Sequence, residues 1–240
     1  MKHDIPGYII GSIHEADRVE NINTLKRQMP SLQYEEAVYP DYVKVPFLNQ
    51  LRQLSLRRTG HQLSNGELGC LLSHRKVWRK IIASDRPAES MFLVLESDSS
   101  FTAIEVLKDQ FNLMGQAFDL FFWGAWEGHM KLFRSTHKKL ATRFIFGTPY
   151  IKTVYCTYGY SLNKKAAAYL LQKTKKAAYP VDQFKQFVDE NELKIGGVNP
   201  ELVTTVGRKK SYIQTNRNSV KEFFVWLVLD IRNSIVCYLR

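Results

Sequence analysis

A chain of 240 residues with 45% hydrophobic and 24% charged residues has the composition of one large folded domain, or one domain with a small appendage, and excludes a disordered or fibrous protein. Its net charge of +11 is unevenly placed: Gly128 to Val181 holds eleven Lys and Arg and no acidic residue, while the remainder balances at 23 of each sign. A one-signed segment of this kind attracts polyanions, whether nucleic acid, an anionic membrane or a phosphorylated substrate. The three cysteines, Cys70, Cys156 and Cys237, are odd in number, widely spaced and form no C-x-x-C pair, which points to a reducing, cytoplasmic compartment rather than a disulfide framework.

In chain order, the apolar run Gly7 to Ile13 predicts a buried first strand; it is too short, and lacks the small-residue cleavage site, for a signal peptide. Val19, Ile22, Leu25 and Met29 then fall at helical spacing. Pro30, Pro40 and Pro46 punctuate a loop-rich stretch. Ser64 and Glu67 have the spacing of a capping box, with Leu63 and Leu68 placed as a hydrophobic staple, so a helix is predicted from Asn65 to Ala83. Met91 to Leu95 reads as a strand buried on both faces. Further strands are predicted at Phe118 to Trp123 and about Val154 to Leu162. Asn163 caps a helix over Lys164 to Lys173, and Pro180 starts another through Val188. Alternating strands and helices predict an α/β domain with a mixed, mostly parallel sheet. Its ligand crevice would lie beyond the carboxyl ends of the strands, where Glu96 and Asp98 fall.

Three groups of residues could carry chemistry. Glu96, Ser97 and Asp98 follow the buried strand, and an extended backbone would turn the two carboxylates to one side. Such a hard-oxygen pair suits Mg²⁺ or Mn²⁺ with substrate phosphate, although the same carboxylates could simply cap the next turn. Glu67, Cys70 and His74 lie along one helix face with Ser73 beside them; capping explains Glu67 and core burial would explain Cys70 and His74. Asp182, in "YPVDQF", suits the first turn of a helix through the macrodipole, or the role of a general base.

In order, "ELGCLLSHRKVW", "FLVLESDSSF", "YGYSLNKKAAAYLLQ" and "YPVDQF" resemble glycosyltransferase family 25, the family of bacterial lipooligosaccharide galactosyltransferases and collagen galactosyltransferases. Its pattern runs E-x-G-C-x-x-S-H, an apolar strand ending E-D-D, G-Y before an alanine-containing helix, then P-V-D. The resemblance spans roughly Gly7 to Pro200. It implies a GT-A-like fold and an inverting transfer from a UDP-sugar, often UDP-galactose, to a lipooligosaccharide or other glycan or glycolipid acceptor, usually with Mn²⁺ (or Mg²⁺). By position it implies Asp98 as metal ligand, Glu96 at the metal or the donor, and Arg18, Glu67, Ser73 and His74 around the donor. Asp182 is the implied general base, with Glu127 second. Ser97 departs from the family's middle Asp, and strand alternation would point it away from both neighbours. Trp123, Trp126 and Tyr150 could stack on a sugar, although such aromatics more often fill a core.

The resemblance leaves the last stretch to its own pattern. Residues 1–215 are expected to form the catalytic domain and residues 216–240 an amphipathic helical segment. Val220, Phe223, Phe224, Leu227, Ile231 and Ile235 have helical spacing, and the charges among them rule against a bilayer span. The helix would dock on the body or lie on a membrane, placing the protein in the cytoplasm or peripherally on the membrane's inner face. Two other functions fit less of the sequence. A basic polyanion-binding module is motivated by charge, but no nucleic-acid fingerprint accompanies it. A catalytically degenerate family member is motivated by Ser97.

Overall fold

The computed structural model describes residues 4–125, 128–206 and 220–240, with side chains of the last helix described from Leu227 onward. Trp126 and Glu127 lie outside the described residues. Eight strands form one sheet in the order β2 (Leu32–Glu36), β1 (Gly7–Gly11), β3 (Phe92–Glu96), β8 (Gly159–Leu162), β5 (Leu120–Gly124), β9 (Ile195–Asn199), β7 (Phe144–Gly147), β6 (Lys138–Ala141). The pairings make β8 and β7 antiparallel to the other six, so the sheet is mixed, with six strands pointing one way. A two-stranded ribbon pairs β4 (Ser99–Phe101) with β10 (Val203–Thr205).

Period-two alternation distributes the strand side chains between two cores. Tyr8, Ile10, Phe92, Val94, Leu120 and Phe122 face α3 (Asn65–Ala83) and α5 (Lys164–Lys173), meeting Leu68, Leu71, Trp78, Ile81, Ala167 and Leu170. Ile9, Leu93, Leu95, Phe121 and Trp123 face the opposite way, onto Ile22 and Leu25 of α1 (Ala16–Gln28) and onto Leu107, Phe111 and Met114 of α4 (Ile104–Ala117). Burial on both faces explains why β3 and β5 read as unbroken apolar runs.

Topology selects the site. The chain leaves β1 through α1 on one face to reach β2. It returns to β3, on the other side of β1, through α2 (Leu48–Thr59) and α3 on the opposite face. The carboxyl ends of β1 and β3 therefore flank a switch point, the place where an open α/β sheet leaves a crevice for ligands.

The capping box at Ser64 and Glu67 forms as predicted, and Asn163 Oδ1 accepts the Ala166 amide at 2.9 Å. Two expectations are corrected. The proline-punctuated stretch does contain a helix, α2, in which Ser55 is buried and Leu48 and Leu51 pack half-buried against the core, set among charged and polar residues. The helix expected from Pro180 to Val188 is a turn followed by a short 3₁₀ helix at Phe184–Gln186. Val181, Phe184 and Val188 are buried at helical spacing, and Phe184 packs edge-on against Phe122. Core packing produced the periodicity there without a continuing α-helical ladder.

Candidate functional site at the switch point

Glu96 ends β3, and the chain turns at once through Ser97 and Asp98 into β4. Two side chains hold this turn. Asn21 Nδ2 of α1 donates to the carbonyls of Ser97 and Ser99 at 2.7 and 2.9 Å, and Ser99 Oγ accepts the Glu96 amide at 3.0 Å while donating to Tyr158 O at 2.5 Å. Because residues 97 and 98 form a turn, strand alternation stops at Glu96. Ser97 does not point clear of both neighbours, as alternation predicted. Its buried hydroxyl donates to Glu15 Oε2 at 3.2 Å and accepts from Arg18 Nη1 at 3.1 Å, so it shares Arg18 with Asp98, whose Oδ2 lies 3.2 Å from Nη2.

Glu96 faces the α3 side. Its Oε1 accepts from Thr157 Oγ1 and from His74 Nε2, the latter at 3.3 Å. Hydrogen-bond logic assigns the tautomer of His74, which is fully buried. Trp78 Nε1, a donor only, gives its proton to Tyr160 Oη at 2.8 Å, leaving the Tyr160 proton for His74 Nδ1, also at 2.8 Å. His74 then carries its own proton on Nε2 and directs it at Glu96. The chain Trp78–Tyr160–His74–Glu96 links two helix turns of α3 to the ends of β8 and β3.

Electrostatics separates the two carboxylates. Burial opposes ionisation of Glu96, but the hydrogen bonds from His74 and Thr157 and the Arg18 charge outweigh it and hold the carboxyl below the usual range. Burial, then the nearby Glu96 charge, push Asp98 up to about 6 despite Arg18. Asp98 Oδ1 is buried and, among the described residues, accepts no hydrogen bond. Such an orphaned carboxylate oxygen beside a second carboxylate fits a hard divalent cation.

Cys70, His74 and Glu96 also bring their ligand atoms within 4.8 Å of one another. Burial, Glu96 and Asp182 all push the Cys70 thiol up, keeping it protonated, and the His74 nitrogen facing Glu96 bears a proton. The Asp182 charge also acts on this cluster, helping to raise the Cys70 thiol. Asp182 sits in the turn after Pro180, so a helix macrodipole plays no part there.

The structure thus brings together Arg18, His74, Glu96 and Asp98, with the Asp182 charge felt at neighbouring Cys70. It gives two other sequence candidates structural work instead. The Glu67 carboxylate accepts from the Ser64 amide at 2.8 Å and faces His61 at 3.3 Å, completing the cap of α3. Ser73 Oγ donates to Gly69 O and accepts the Val38 amide at 2.8 Å, tying α3 to the segment after β2. Gly69 serves the same approach, since a Cβ there would lie 2.4 Å from Val38 O. Gly159 likewise lets β10 cross the sheet, where a Cβ would lie 2.5 Å from Val203 Cγ1. Trp123 is fully buried and donates to Ser161 Oγ at 2.9 Å, so it is core, not a sugar platform. Tyr150 is half-buried against Phe133.

Sequence reasoning missed Glu15, Asn21, Thr157 and Tyr160. Glu15 is buried where Tyr39 Oη, Ser97 Oγ and Arg18 converge on it. Only Tyr160 had a visible signal, as the tyrosine of the G-Y pair in "YGYSLN".

Residues 5–185 match the family model described as glycosyltransferase family 25 (LPS biosynthesis protein). The match covers well over half of the chain, and the chain belongs to that glycosyltransferase family. No curated protein matches it. Among the described residues, no helix is long and apolar enough to cross a membrane.

Proposed function

We propose that the protein transfers a sugar, galactose in the first instance, from a UDP-sugar to a lipooligosaccharide or other glycan acceptor, with inversion at the anomeric carbon and on a GT-A-like framework. The observation that carries this reading is the buried, unpartnered Oδ1 of Asp98 at the switch point of a family 25 chain. Asp98 would hold Mn²⁺ (or Mg²⁺), with Glu96 as the second acidic group. When bound, the ion would supply positive charge to the diphosphate leaving group.

The chain's own residues divide the remaining work. His74, fixed by Tyr160, holds Glu96 in one orientation and keeps it ionised. Arg18 orients Asp98 through Nη2 and the turn through Ser97, and stands ready to meet the donor's phosphates. Asp182 accepts the acceptor hydroxyl proton as that oxygen bonds to the anomeric carbon and the bond to UDP breaks. The enzyme would work in the cytoplasm on an acceptor presented at the inner membrane face.

A thermal-shift series with UDP-galactose, UDP-glucose and UDP-N-acetylglucosamine, each with and without Mn²⁺, tests the donor reading. A rise in the melting temperature that requires both nucleotide sugar and Mn²⁺, and is lost in Asp98→Asn, is expected. An unchanged rise in Asp98→Asn overturns the site assignment.

A further inference from the structure

From Leu227 onward the last helix, α6 (Val220–Leu239), is built inside out for a globular protein. Its body-facing side is mostly polar around one small apolar residue: Asp230 pairs with Lys131 at 3.1 Å and Ser234 and Asn233 are half-buried, while Cys237 is buried. Arg134 covers the Tyr238 ring at 4.2 Å, and Arg240 lies over Phe133 at 5.7 Å, fixing the helix end against residues 131–136. Val228, Ile231, Ile235 and Leu239, spaced three, four and four apart, form one stripe on the other side. Each is more than half exposed. An ordinary docked helix turns such a stripe inward.

The charge around the stripe identifies what covers it. Arg232 is exposed on the helix and Arg240 just past its end, and Asp230 is the one acidic residue of 227–240 and is already paired. The body segment under the helix runs from exposed Arg134 into Lys138 and Lys139 of β6; among the described residues none of these three makes an ion pair. Asp189 and Glu190 line a groove of about 710 Å³ with Tyr150, Val236 and Arg240. Val236 belongs to the half-buried flank of the helix, not to the stripe.

We infer that the α6 stripe lies in the interfacial layer of an anionic lipid membrane, with Arg232, Arg240, Arg134, Lys138 and Lys139 meeting lipid phosphates. Apolar burial and phosphate attraction then act on one surface, the combination that holds a helix in the headgroup layer. The charge pattern disfavours a second copy of the chain as occupant, because a symmetric contact through this face brings cations against cations. The inference stands apart from the reading of the donor site and survives its failure.

Flotation of the full chain with phosphatidylcholine vesicles, with and without phosphatidylglycerol, tests it. Binding is expected only with phosphatidylglycerol and should fall steeply as salt is raised. The double variant Ile231→Ser, Ile235→Ser should bind at least about tenfold more weakly, from the lost apolar burial alone. Both side chains are exposed, so its circular dichroism and melting temperature should match the parent. Lys138→Gln with Lys139→Gln should weaken binding and flatten the salt dependence. Failure of the parent to float, or full binding by the Ile double variant, overturns the inference. So does a dimer in analytical ultracentrifugation that the Ile double variant dissolves, which would give the stripe to a second copy.

Discussion

Tyr160 and His74, 86 residues apart in sequence, meet through a 2.8 Å hydrogen bond in the buried core. The contact joins the G-Y and S-H motifs into one device: the tyrosine proton occupies His74 Nδ1, so the other ring nitrogen must donate to Glu96. Tyr160→Phe removes a donor to His74 and an acceptor for Trp78 at once. A loss of about 1–3 kcal/mol is expected in urea denaturation, from two buried polar groups left unpaired. Transfer activity should fall as well, because His74 could then present a bare nitrogen to Glu96. Trp78→Phe, which leaves the Tyr160–His74 bond in place, should cost stability through lost packing with a smaller effect on activity.

The raised Asp98 carboxyl makes a prediction about pH. Its folded value near 6 exceeds the unfolded 3.8, so the folded state holds this proton more tightly. Stability from this group is therefore present below about pH 4, declines as pH rises toward 6, and stays lower above. In the presence of EDTA, Asp98→Asn should be the more stable protein at pH 8, by roughly 1–3 kcal/mol with the lost Arg18 pair taken into account. That advantage should vanish near pH 3.5. Equal stability of the two proteins at pH 8 would count against a buried, charge-crowded Asp98.

Ser97 is matched to Glu15. Restoring the family's middle carboxylate by Ser97→Asp would place it beside buried Glu15 and press its larger side chain toward Gly11, where even a Cβ would lie 2.9 Å from Ser97 Cβ. A destabilisation of about 2 kcal/mol is expected, and Glu15→Gln in the same chain should recover much of it. Additive effects of the two changes, measured as a double-mutant cycle, would disprove the coupling.

Asp182 is tested by separating binding from turnover. Asp182→Asn should retain nucleotide-sugar stabilisation in a thermal melt while kcat falls on the order of 10²-fold or more, the usual size of a lost general base. Retention of kcat would return the role of base to another group.

Sequence alone specified the parts that local chemistry decides. The cap of α3, the Asn163 cap of α5 and the two-sided burial of β3 are all written in residues a few positions apart; the turn at Ser97 and Asp98, read as extended backbone, was not. Family membership was legible too, because four motifs recur in fixed order. Helix α2 was not, since its half-buried Leu48 and Leu51 lie among charged and polar residues in a stretch punctuated by prolines, and the expected helix after Pro180 was misread because core contacts imitated its period. Only the tertiary structure could show that Ser73 ties α3 to the segment after β2, and that Tyr160 and Glu15 pack against the candidate site residues. Those assignments depend on side-chain meetings across 24 to 86 residues, and a linear pattern carries no information about which distant partner satisfies a buried polar group. The exposed stripe of α6 belongs to the same category: helical spacing was visible in the sequence, but which face turned outward was decided by Lys131, Arg134 and Phe133 on the body.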